Sequence, residues 1–307
     1  MAKIIKASDP VVVDRIVALI YGQPSTGKSS LAFTAEAPLL LDFDHGAHRT
    51  KQWRKDSLPI GTWQDAMEIL DDAESLAEYK TVIVDTLSTC HSQIAQYIAR
   101  MTPNLANRNG TLSRNGYGEL GSIFRMWANK LKLLGKDVIV IAQQTEKDEG
   151  DKRVMRPKGM GKSGDDVIEW CELVGYMQWY NERRTIDFNP TDAYYAKTPF
   201  ERGRIEIPHF STNDHFLADI LKEAKETLST NAQSADQVAG VVADWQAKIA
   251  EAENASDLNV LLPDLAGLKG TVKVQVRSLV QARVKELGLT LDKSVGAYVD
   301  PEPATAE

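Results

Sequence analysis

The sequence contains little cysteine. Its 307 residues include only Cys90 and Cys171, which lie far apart and outside any C-x-x-C arrangement. This argues against a zinc site or a disulfide framework and is typical of proteins from a reducing compartment. Long apolar runs are also absent, so no segment of about 18 apolar residues is available to cross a membrane. The first residues, MAKIIKASDP, lack the apolar centre of a signal peptide. We therefore expect a cytoplasmic protein with no membrane partner.

An excess of positive charge is absent as well. The formal net charge is −7, so nucleic-acid binding is not indicated by the total charge and would require local basic segments. What the chain does contain is 43% hydrophobic and 26% charged residues, which are values typical of globular proteins. Its length allows one large domain and one small domain.

The most informative segment is residues 15–31, RIVALIYGQPSTGKSSL. An apolar run leads into a loop of the form G-x-x-x-x-G-K-[ST], and a helical pattern follows. In such a loop the backbone N–H groups and the helix N-terminus bind phosphate. Lys28 is expected to neutralise the β- and γ-phosphates, and Ser29 is expected to hold Mg²⁺. The less favoured alternative is a surface turn that contains a lysine by chance. The predicted nucleotide-binding residues are Gly22, Gln23, Pro24, Ser25, Thr26, Gly27, Lys28, Ser29 and Ser30.

Short apolar runs alternate with helical patterns over the first two thirds of the chain. This is typical of an α/β fold with a mainly parallel sheet, and near-continuous apolar strands suit a sheet covered by helices on both faces. The predicted strands are 16–21, 38–42, 81–85, 138–142, 173–179, 184–188 and 204–207. The predicted helices are 28–35, 63–77, 86–100, 117–134 and 165–171.

The pattern changes after residue 212, where helical periodicity continues without further strands. We predict a core at 1–212, a helix and linker at 213–235, a small C-terminal helical domain at 236–290, and an acidic disordered tail at 291–307. Two long polar stretches, 101–116 and 145–164, interrupt the core, and we predict that both are functional or mobile loops.

Polar side chains follow three of the predicted strands. Asp85 ends TVIVD, Asp42 and Asp44 follow PLLL, and Gln143 and Gln144 follow VIVIA. Because ligands in open α/β sheets gather at the carboxyl ends of the strands, we expect these side chains to lie near the phosphate loop. A nucleoside triphosphatase needs a carboxylate near Mg²⁺, a group that orients the attacking water, and a sensor of the γ-phosphate.

We assign Asp85 to Mg²⁺, Asp44 to the hydrolytic water and Gln144 to the γ-phosphate. Each assignment has a simpler alternative. Asp85 could cap the following helix, one of the two aspartates could form the turn before Gly46, and the glutamines could satisfy the strand ends.

These residues resemble the RecA/RadA recombinase superfamily, in particular the short phage RecA-like single-strand annealing proteins. LLLDFDHGA is similar to the family's segment that carries the catalytic glutamate, and Asp44 occupies the position of that glutamate. VIVDTLS is similar to the Walker B strand. VIAQQ is similar to the sensor strand, and Gln144 occupies the position of the family's glutamine. AKTPFERGRIEIPH resembles the stretch from which a basic residue reaches a neighbouring subunit's ATP. Lys197 matches that residue best, and Arg202 and Arg204 match less well.

The resemblance covers about residues 12–210 and implies a RecA-like P-loop NTPase core that binds ATP and Mg²⁺. It also implies self-association as a ring or filament, with ATP at subunit interfaces, and single-stranded DNA as partner. A single-strand binding protein would be a further partner, and a phage-encoded protein would act in the bacterial host cytoplasm. Two departures stand out. Asp44 has a shorter side chain than the family's glutamate, and only about 15 residues precede the first strand, where RecA has its polymerisation helix.

In RecA-like proteins two loops, after the Walker B helix and after the sensor strand, face DNA. Here those positions are the two polar stretches, whose basic parts lack acidic residues between 100 and 118 and between 152 and 164. Phosphate backbones could use such local positive charge, although a solvated, flexible basic loop is the alternative. The predicted DNA-binding residues are Arg108, Arg114, Lys152, Arg153, Arg156, Lys158 and Lys162.

We therefore expect a DNA-stimulated ATPase, slow if Asp44 orients water poorly, that promotes strand annealing or homologous recombination. Three alternatives stay open. One is a RecA-fold helicase or motor core, and another is an ATP-binding scaffold with weak hydrolysis. A small-molecule P-loop kinase is the third, although an arginine-rich lid and an acceptor pocket are not evident.

Overall fold

The computed structural model describes residues 12–72, 74–160, 163–200, 202–268, 270–292 and 297–301. Contacts divide the chain into two compact units, Val12–Leu228 and a second that includes the residues from Ser229 onward. Each unit is described by itself below.

The first unit contains a mainly parallel sheet with helices on both faces. Its strands are β1 (Val17–Gly22), β2 (Pro38–Asp42), β3 (Ser57–Pro59), β4 (Thr81–Asp85), β5 (Asp137–Glu149), β6 (Lys152–Pro157), β7 (Leu173–Tyr180), β8 (Arg183–Asp187) and β9 (Ile205–Glu206). Its helices are α1 (Lys28–Ala32), α2 (Trp63–Glu68), α3 (Leu87–Met101), α4 (Arg114–Leu133), α5 (Ser163–Trp170) and the beginning of α6 (Phe216–Glu251). Two 3₁₀ segments, Ala47–Trp53 and Pro103–Leu105, connect them.

Among the described residues, nine strands form this sheet in the order β3-β2-β4-β5-β1-β7-β8-β9, with β6 paired to β5. The pairs from β3 through β7 are parallel, whereas β5–β6, β7–β8 and β8–β9 are antiparallel. Strands β5 and β4 lie between β1 and β2, so their carboxyl ends lie beside the end of β1. The predicted α/β fold with a mainly parallel, helix-covered sheet and additional C-terminal helices is confirmed.

The central strands are buried on both faces, which explains their continuous apolar sequences. Successive side chains of a strand point to opposite faces, so alternate residues enter two separate clusters. The cluster under α2–α5 includes Val84 and Val140. The cluster under α1 and the beginning of α6 includes Ile83, Ile141 and Leu31. This alternation also determines on which face each strand-end side chain lies.

The prediction of a long loop at 145–164 is wrong for most of that stretch. Strand β5 continues to Glu149 and pairs with β6 to form an antiparallel hairpin, from Gln144 opposite Pro157 to Glu149 opposite Lys152. Gly150 has φ of 65° and supplies the backbone conformation that the tight turn requires. Val154 on β6 is buried, so the segment has an apolar anchor although it is rich in charge.

The other polar stretch, 101–116, is also more structured than predicted. Helix α4 begins at Arg114, where the hydroxyl of Ser113 accepts a hydrogen bond from the Gly116 N–H at 3.2 Å. The side-chain amide of Asn107 donates to the Thr111 hydroxyl at 3.0 Å and to the Leu112 carbonyl at 3.0 Å. These bonds form a compact turn before α4.

The second unit contains the rest of α6, α7 (Ala255–Gly267), α8 (Gly270–Glu286), and a small hairpin of β10 (Thr290–Asp292) and β11 (Ala297–Val299). Its core includes Trp245, Ile249, Leu258, Val276 and Val280. The segment 229–235, predicted as a linker, lies within α6, and it contains neither glycine nor proline to end a helix.

The predicted disordered tail at 291–307 also differs from the structure over the residues that it describes. Strands β10 and β11 pair there, and the Asn259 side chain bonds both the N–H and the carbonyl of Tyr298, each at 2.8 Å. The partly buried Tyr298 packs against the core of this unit. One aromatic residue and one amide therefore attach β11 to the core of this unit. Within the described residues, no helix has the length and apolarity to cross a membrane.

Candidate functional site

The sheet topology brings the polar strand ends to one edge. Gln143 on β5 lies level with Gly22, the first residue of the phosphate loop. Asp85 on β4 lies level with Ile141, and Asp42 on β2 lies level with Asp85. The carboxyl ends of four neighbouring strands thus surround the start of α1.

The phosphate loop requires its glycines. A Cβ on Gly22 would lie 2.0 Å from the Met177 carbonyl oxygen on β7, so another residue would force the two strands apart. Gly27 has φ of 90°, a conformation that favours glycine, at the residue just before α1. Among the described residues, none accepts a hydrogen bond from the backbone N–H groups of Lys28, Ser29 or Ser30. These three donors are available to an anion.

Lys28 is 7% exposed, and its ammonium donates to the Gly22 carbonyl at 3.1 Å and to the Gln23 carbonyl at 2.7 Å. Burial lowers the pKa of Lys28 to about 8, and the nearby charge of Asp85 opposes this shift. The side chain is therefore folded over the loop as a cation whose partners are neutral carbonyls, which phosphate oxygens could replace.

Asp85 is the partner of Ser29. The Ser29 hydroxyl donates to Oδ2 of Asp85 at 2.5 Å, and the carboxyl is only 6% exposed. Burial raises the pKa of Asp85 to about 6, with a smaller opposing effect from the Ser29 hydrogen bond. A hydroxyl and a carboxylate placed together beside a phosphate loop are the oxygen donors that Mg²⁺ takes in such sites, so these residues fit the ion.

Asp42 and Asp44 have different roles. Asp42 accepts from the Gly46 and Ala47 N–H groups at 2.8 and 2.9 Å, so it is the aspartate that shapes the turn. Asp44 accepts from the Gly46 N–H at 3.0 Å and forms an ion pair with Arg49. Burial raises the pKa of Asp44, and Arg49 opposes that shift. The carboxylate assigned to the hydrolytic water is thus already paired with a guanidinium, which sequence reasoning missed.

The two glutamines point to opposite faces of the sheet. The side chain of Gln144 lies on the same face of the sheet as that of Ala142, which is the face covered by α3 and α4. Its side-chain carbonyl accepts a hydrogen bond from the Tyr176 hydroxyl at 3.1 Å. Its amide nitrogen lies 3.4 Å from the Met155 sulfur on the hairpin. Gln143 follows Ile141 toward the face that carries α1 and Asp85. The predicted sensor Gln144 therefore contacts the hairpin, whereas Gln143 is on the side of the phosphate loop.

Tyr21 is a further residue that the motif analysis passed over. It directly precedes the phosphate loop, and its hydroxyl donates to the Tyr195 carbonyl at 2.5 Å and lies 3.0 Å from the Met155 carbonyl. Met155 also exchanges backbone hydrogen bonds with residues 193 and 195. The buried Tyr21 hydroxyl thus connects the end of β1, just before the phosphate loop, to the hairpin.

Lys197 lies elsewhere. It pairs with Val174, which is level with Leu19, three residues before Gly22 and so about 10 Å from the loop along β1. Its ammonium donates to the carbonyls of Glu169 and Cys171 at 3.2 and 2.6 Å, where α5 ends. These bonds explain the lysine as a cap within its own chain, and the role in a neighbour's site stays a prediction.

Most of the predicted DNA-binding cations on the hairpin are paired with carboxylates. Lys152 lies 2.9 Å from Asp192, and Arg153 lies 3.6 Å from Asp148. Arg156 pairs with Glu149 and Asp165, and its guanidinium lies over the Tyr195 ring. Strand β5 supplies Asp148 and Glu149, which the hairpin places opposite the bases, and Asp165 and Asp192 come from other segments.

Three predicted DNA-binding residues are exposed cations without a carboxylate partner among the described residues. Arg108, Arg114 and Lys158 have no ion pair with any residue that the structure describes. Lys162 lies outside the described residues. Within the described part of the chain, Arg108 and Arg114 make no contact with the phosphate loop. The described residues also contain no group of three His, Cys, Asp or Glu side chains that could bind a metal ion.

A guanidinium from a distant strand also reaches the loop. Arg184 on β8 lies beside Gly27, and its sequence neighbourhood carries no nucleotide-binding pattern that could have indicated this.

A family model described as an AAA domain matches residues 14–200, which is more than half of the chain. The chain belongs to this AAA domain family. The match contains the phosphate loop, Asp44, Asp85 and the hairpin, so residues 14–200 form a P-loop AAA-type ATPase domain. No curated protein matches the sequence. The family description specifies neither a nucleic acid nor a role in recombination.

Proposed function

We propose that this protein is a Mg²⁺-dependent ATPase whose site is the loop Gly22–Ser29 with Asp85. The observation that carries the proposal is the buried pair of Ser29 and Asp85 beside the folded Lys28 ammonium. Within a P-loop domain this arrangement supplies a cation for the phosphates and two oxygen ligands for a metal ion.

In this proposal each residue has one task. Ser29 and Asp85 would hold Mg²⁺, which when bound would neutralise charge on the phosphate oxygens. Lys28 exchanges the carbonyls of Gly22 and Gln23 for phosphate oxygens, and the free N–H groups at the beginning of α1 bind the same phosphates. Gln143, on the same face, would contact the γ-phosphate.

The decisive test is ATP turnover by the wild type and by Lys28→Ala with Mg²⁺. We expect measurable turnover that Lys28→Ala and omission of Mg²⁺ both abolish. Turnover that persists in Lys28→Ala would place the activity elsewhere. ATP hydrolysis by the wild type should also be compared with and without single-stranded DNA, because the process that uses the ATP is a separate question.

As to that output, we propose a RecA-like function in which the nucleotide state controls single-stranded DNA binding in annealing or recombination. Two contacts support such coupling: the Tyr21 hydroxyl and the Gln144 amide both connect the edge of the site to Met155 on the hairpin. Because the segment is an ordered hairpin, we expect it to shift as a body rather than to fold when ATP binds. Self-association, with Lys197 in trans, belongs to the same proposal.

The charge pattern decides which variants test DNA binding. Arg153 and Arg156 are paired, so replacing them would also disturb the hairpin. The better variant is the triple Arg108→Ala, Arg114→Ala, Lys158→Ala, and Lys130→Ala on the exposed last turn of α4 is a matched control. Loss of three phosphate contacts should reduce the slope of log affinity against log salt by about 2. An unchanged slope would contradict the DNA proposal and leave the ATPase proposal intact.

A second candidate, an ATP-binding scaffold with weak hydrolysis, is favoured by the ion pair between Asp44 and Arg49. Arg49 opposes the rise in the Asp44 pKa that burial causes, and it holds a carboxylate oxygen that a hydrolytic water would need. The helicase alternative differs in output and is tested by strand displacement, whereas nucleotide binding without turnover or DNA stimulation would select the scaffold.

A further inference from the structure

The guanidinium of Arg184 lies against the phosphate loop at Gly27. Its Nη1 lies 3.0 Å from the position that a Cβ on Gly27 would take, and its Cζ lies 3.8 Å from that position. Gly27 directly precedes Lys28, so the guanidinium lies next to the residues proposed to bind phosphate. A side chain larger than hydrogen at position 27 would displace it.

Aromatic rings hold the Arg184 side chain in place. Its Cζ lies 5.3 Å from the centroid of the Trp179 ring and 5.3 Å from that of Phe210. Trp179 is the cross-strand partner of Arg184 on β7, and the Arg184 carbonyl accepts from the Ile207 N–H at 2.8 Å. A guanidinium between two rings keeps its charge and its orientation with little freedom to move.

The neighbouring arginines each have a carboxylate beside them, whereas the guanidinium of Arg184 lies over aromatic rings. Arg183 pairs with Glu206 at 2.6 Å, Arg202 pairs with Glu223 at 2.9 Å, and Arg204 lies 3.7 Å from Asp187. Among the described residues, no carboxylate or other acceptor bonds the half-buried guanidinium of Arg184. A half-buried cation without an anion, placed beside an anion-binding loop, is most simply explained by a ligand that supplies the anion.

We infer that Arg184 is a nucleotide-binding residue that acts in cis and contacts the phosphates bound by the loop. The inference rests on the proposed nucleotide binding and adds to it a residue from β8. Because Arg184 is next to Gly27 rather than at Asp85, it contacts phosphates shared by nucleoside di- and triphosphates. It therefore contributes equally to ADP and ATP affinity, unlike a γ-phosphate sensor.

The geometry also provides an optical signal. Trp179 is 54% exposed, although it packs on Arg184, so a nucleotide held by this guanidinium changes the surroundings of the indole. The chain contains six tryptophans, and Trp179→Phe identifies which part of a fluorescence change arises at this ring.

The test is titration of the full chain with MgADP and with MgATP, by calorimetry and by tryptophan fluorescence. Arg184→Ala and Arg184→Met are compared with the wild type, with Lys28→Ala, and with Arg183→Ala as a control for loss of one adjacent charge. We expect both Arg184 variants to bind both nucleotides about tenfold to a hundredfold more weakly, which is the effect of one charge-assisted contact. Arg183→Ala should bind as the wild type does.

Arg184→Met retains an unbranched apolar side chain between the rings, so it separates the loss of charge from the loss of packing. Unfolding in urea confirms that each variant is folded. The inference is overturned if Arg184→Met binds both nucleotides like the wild type, or if only ATP affinity falls. If the wild type itself binds neither nucleotide, the proposed function fails, and this result is distinct from a failure at Arg184.

Discussion

The buried carboxyl of Asp85 should make the protein less stable than it would be with a neutral side chain there. The pKa of Asp85 in the folded protein is raised to about 6, above its ordinary value of 3.8, chiefly by burial. A raised folded-state pKa means that folding favours the protonated form. The stabilisation that comes from the higher proton affinity of Asp85 in the folded protein is present at low pH and is lost as the pH rises through 6. Asp85→Asn replaces the ionised group by a neutral side chain of the same shape.

The size of the gain follows from the two pKa values. Their difference corresponds to about 3 kcal/mol of unfolding free energy at pH 7, where the wild-type carboxyl is ionised in both states. At pH 5 the folded carboxyl is mostly protonated while the unfolded one is mostly ionised, so the gain falls to about half. The asparagine keeps an oxygen that can accept the Ser29 hydroxyl, so the local hydrogen bond is preserved.

The assay is unfolding in urea, followed by circular dichroism at pH 7 and pH 5 without nucleotide or Mg²⁺. Asp151→Asn, an exposed aspartate on the hairpin turn, serves as control and should change little. An Asp85→Asn variant no more stable than the wild type at pH 7, or one with the same gain at both pH values, would refute the reasoning. The same substitution should abolish Mg²⁺-dependent ATP turnover, because the ion loses its negatively charged ligand.

Three further predictions follow from the same structure. The affinity for MgATP should be highest between about pH 6 and pH 8, because in the protein without nucleotide Asp85 takes up a proton below this range and Lys28 loses one above it. Titration calorimetry at a series of pH values measures this affinity. Asp85→Asn should not show the decrease in affinity on the acidic side. Arg49→Met should raise the ATP turnover rate several-fold by freeing Asp44, and an unchanged or lower rate in a steady-state assay would exclude Asp44 as the water-orienting group. Burial lowers the pKa of His91 to about 3, so the protein loses stability as the pH falls below 6.5, where the unfolded chain takes up a proton at this residue. His91→Gln should therefore reduce the slope of unfolding free energy against pH, between pH 6 and pH 4, by about 1.4 kcal/mol per pH unit. An unchanged slope in urea titrations would contradict this.

The parts of the fold that could be predicted are those with local signals. The strands that end at Gly22 and Asp85 are continuous apolar runs, and the loop between Gly22 and Ser29 has a spacing that the chemistry of phosphate binding requires. Each of these patterns lies within a dozen residues, so tertiary contacts were not needed to recognise it.

The parts that could not be predicted depend on pairings between distant segments. The hairpin of β5 and β6 was interpreted as a loop because many of its residues are charged. The pairing of Arg153 with Asp148 and of Arg156 with Glu149 across the turn makes that composition compatible with a sheet. Arg184 is far from Gly27 in sequence, and nothing around it suggests phosphate. Asp44 and Arg49 are only five residues apart, but their ion pair depends on the turn between them, which the sequence pattern does not specify.

The sheet ends in two very short strands. Strand β3 has three residues and includes Pro59, which has no N–H, and β9 has two residues. In the part of the chain that the structure describes, few backbone groups at these two ends are free to accept a strand from another chain, so the sheet is poorly suited to grow by pairing at either of them. If copies of this protein assemble, contacts between side chains would therefore contribute more than strand pairing at these two ends.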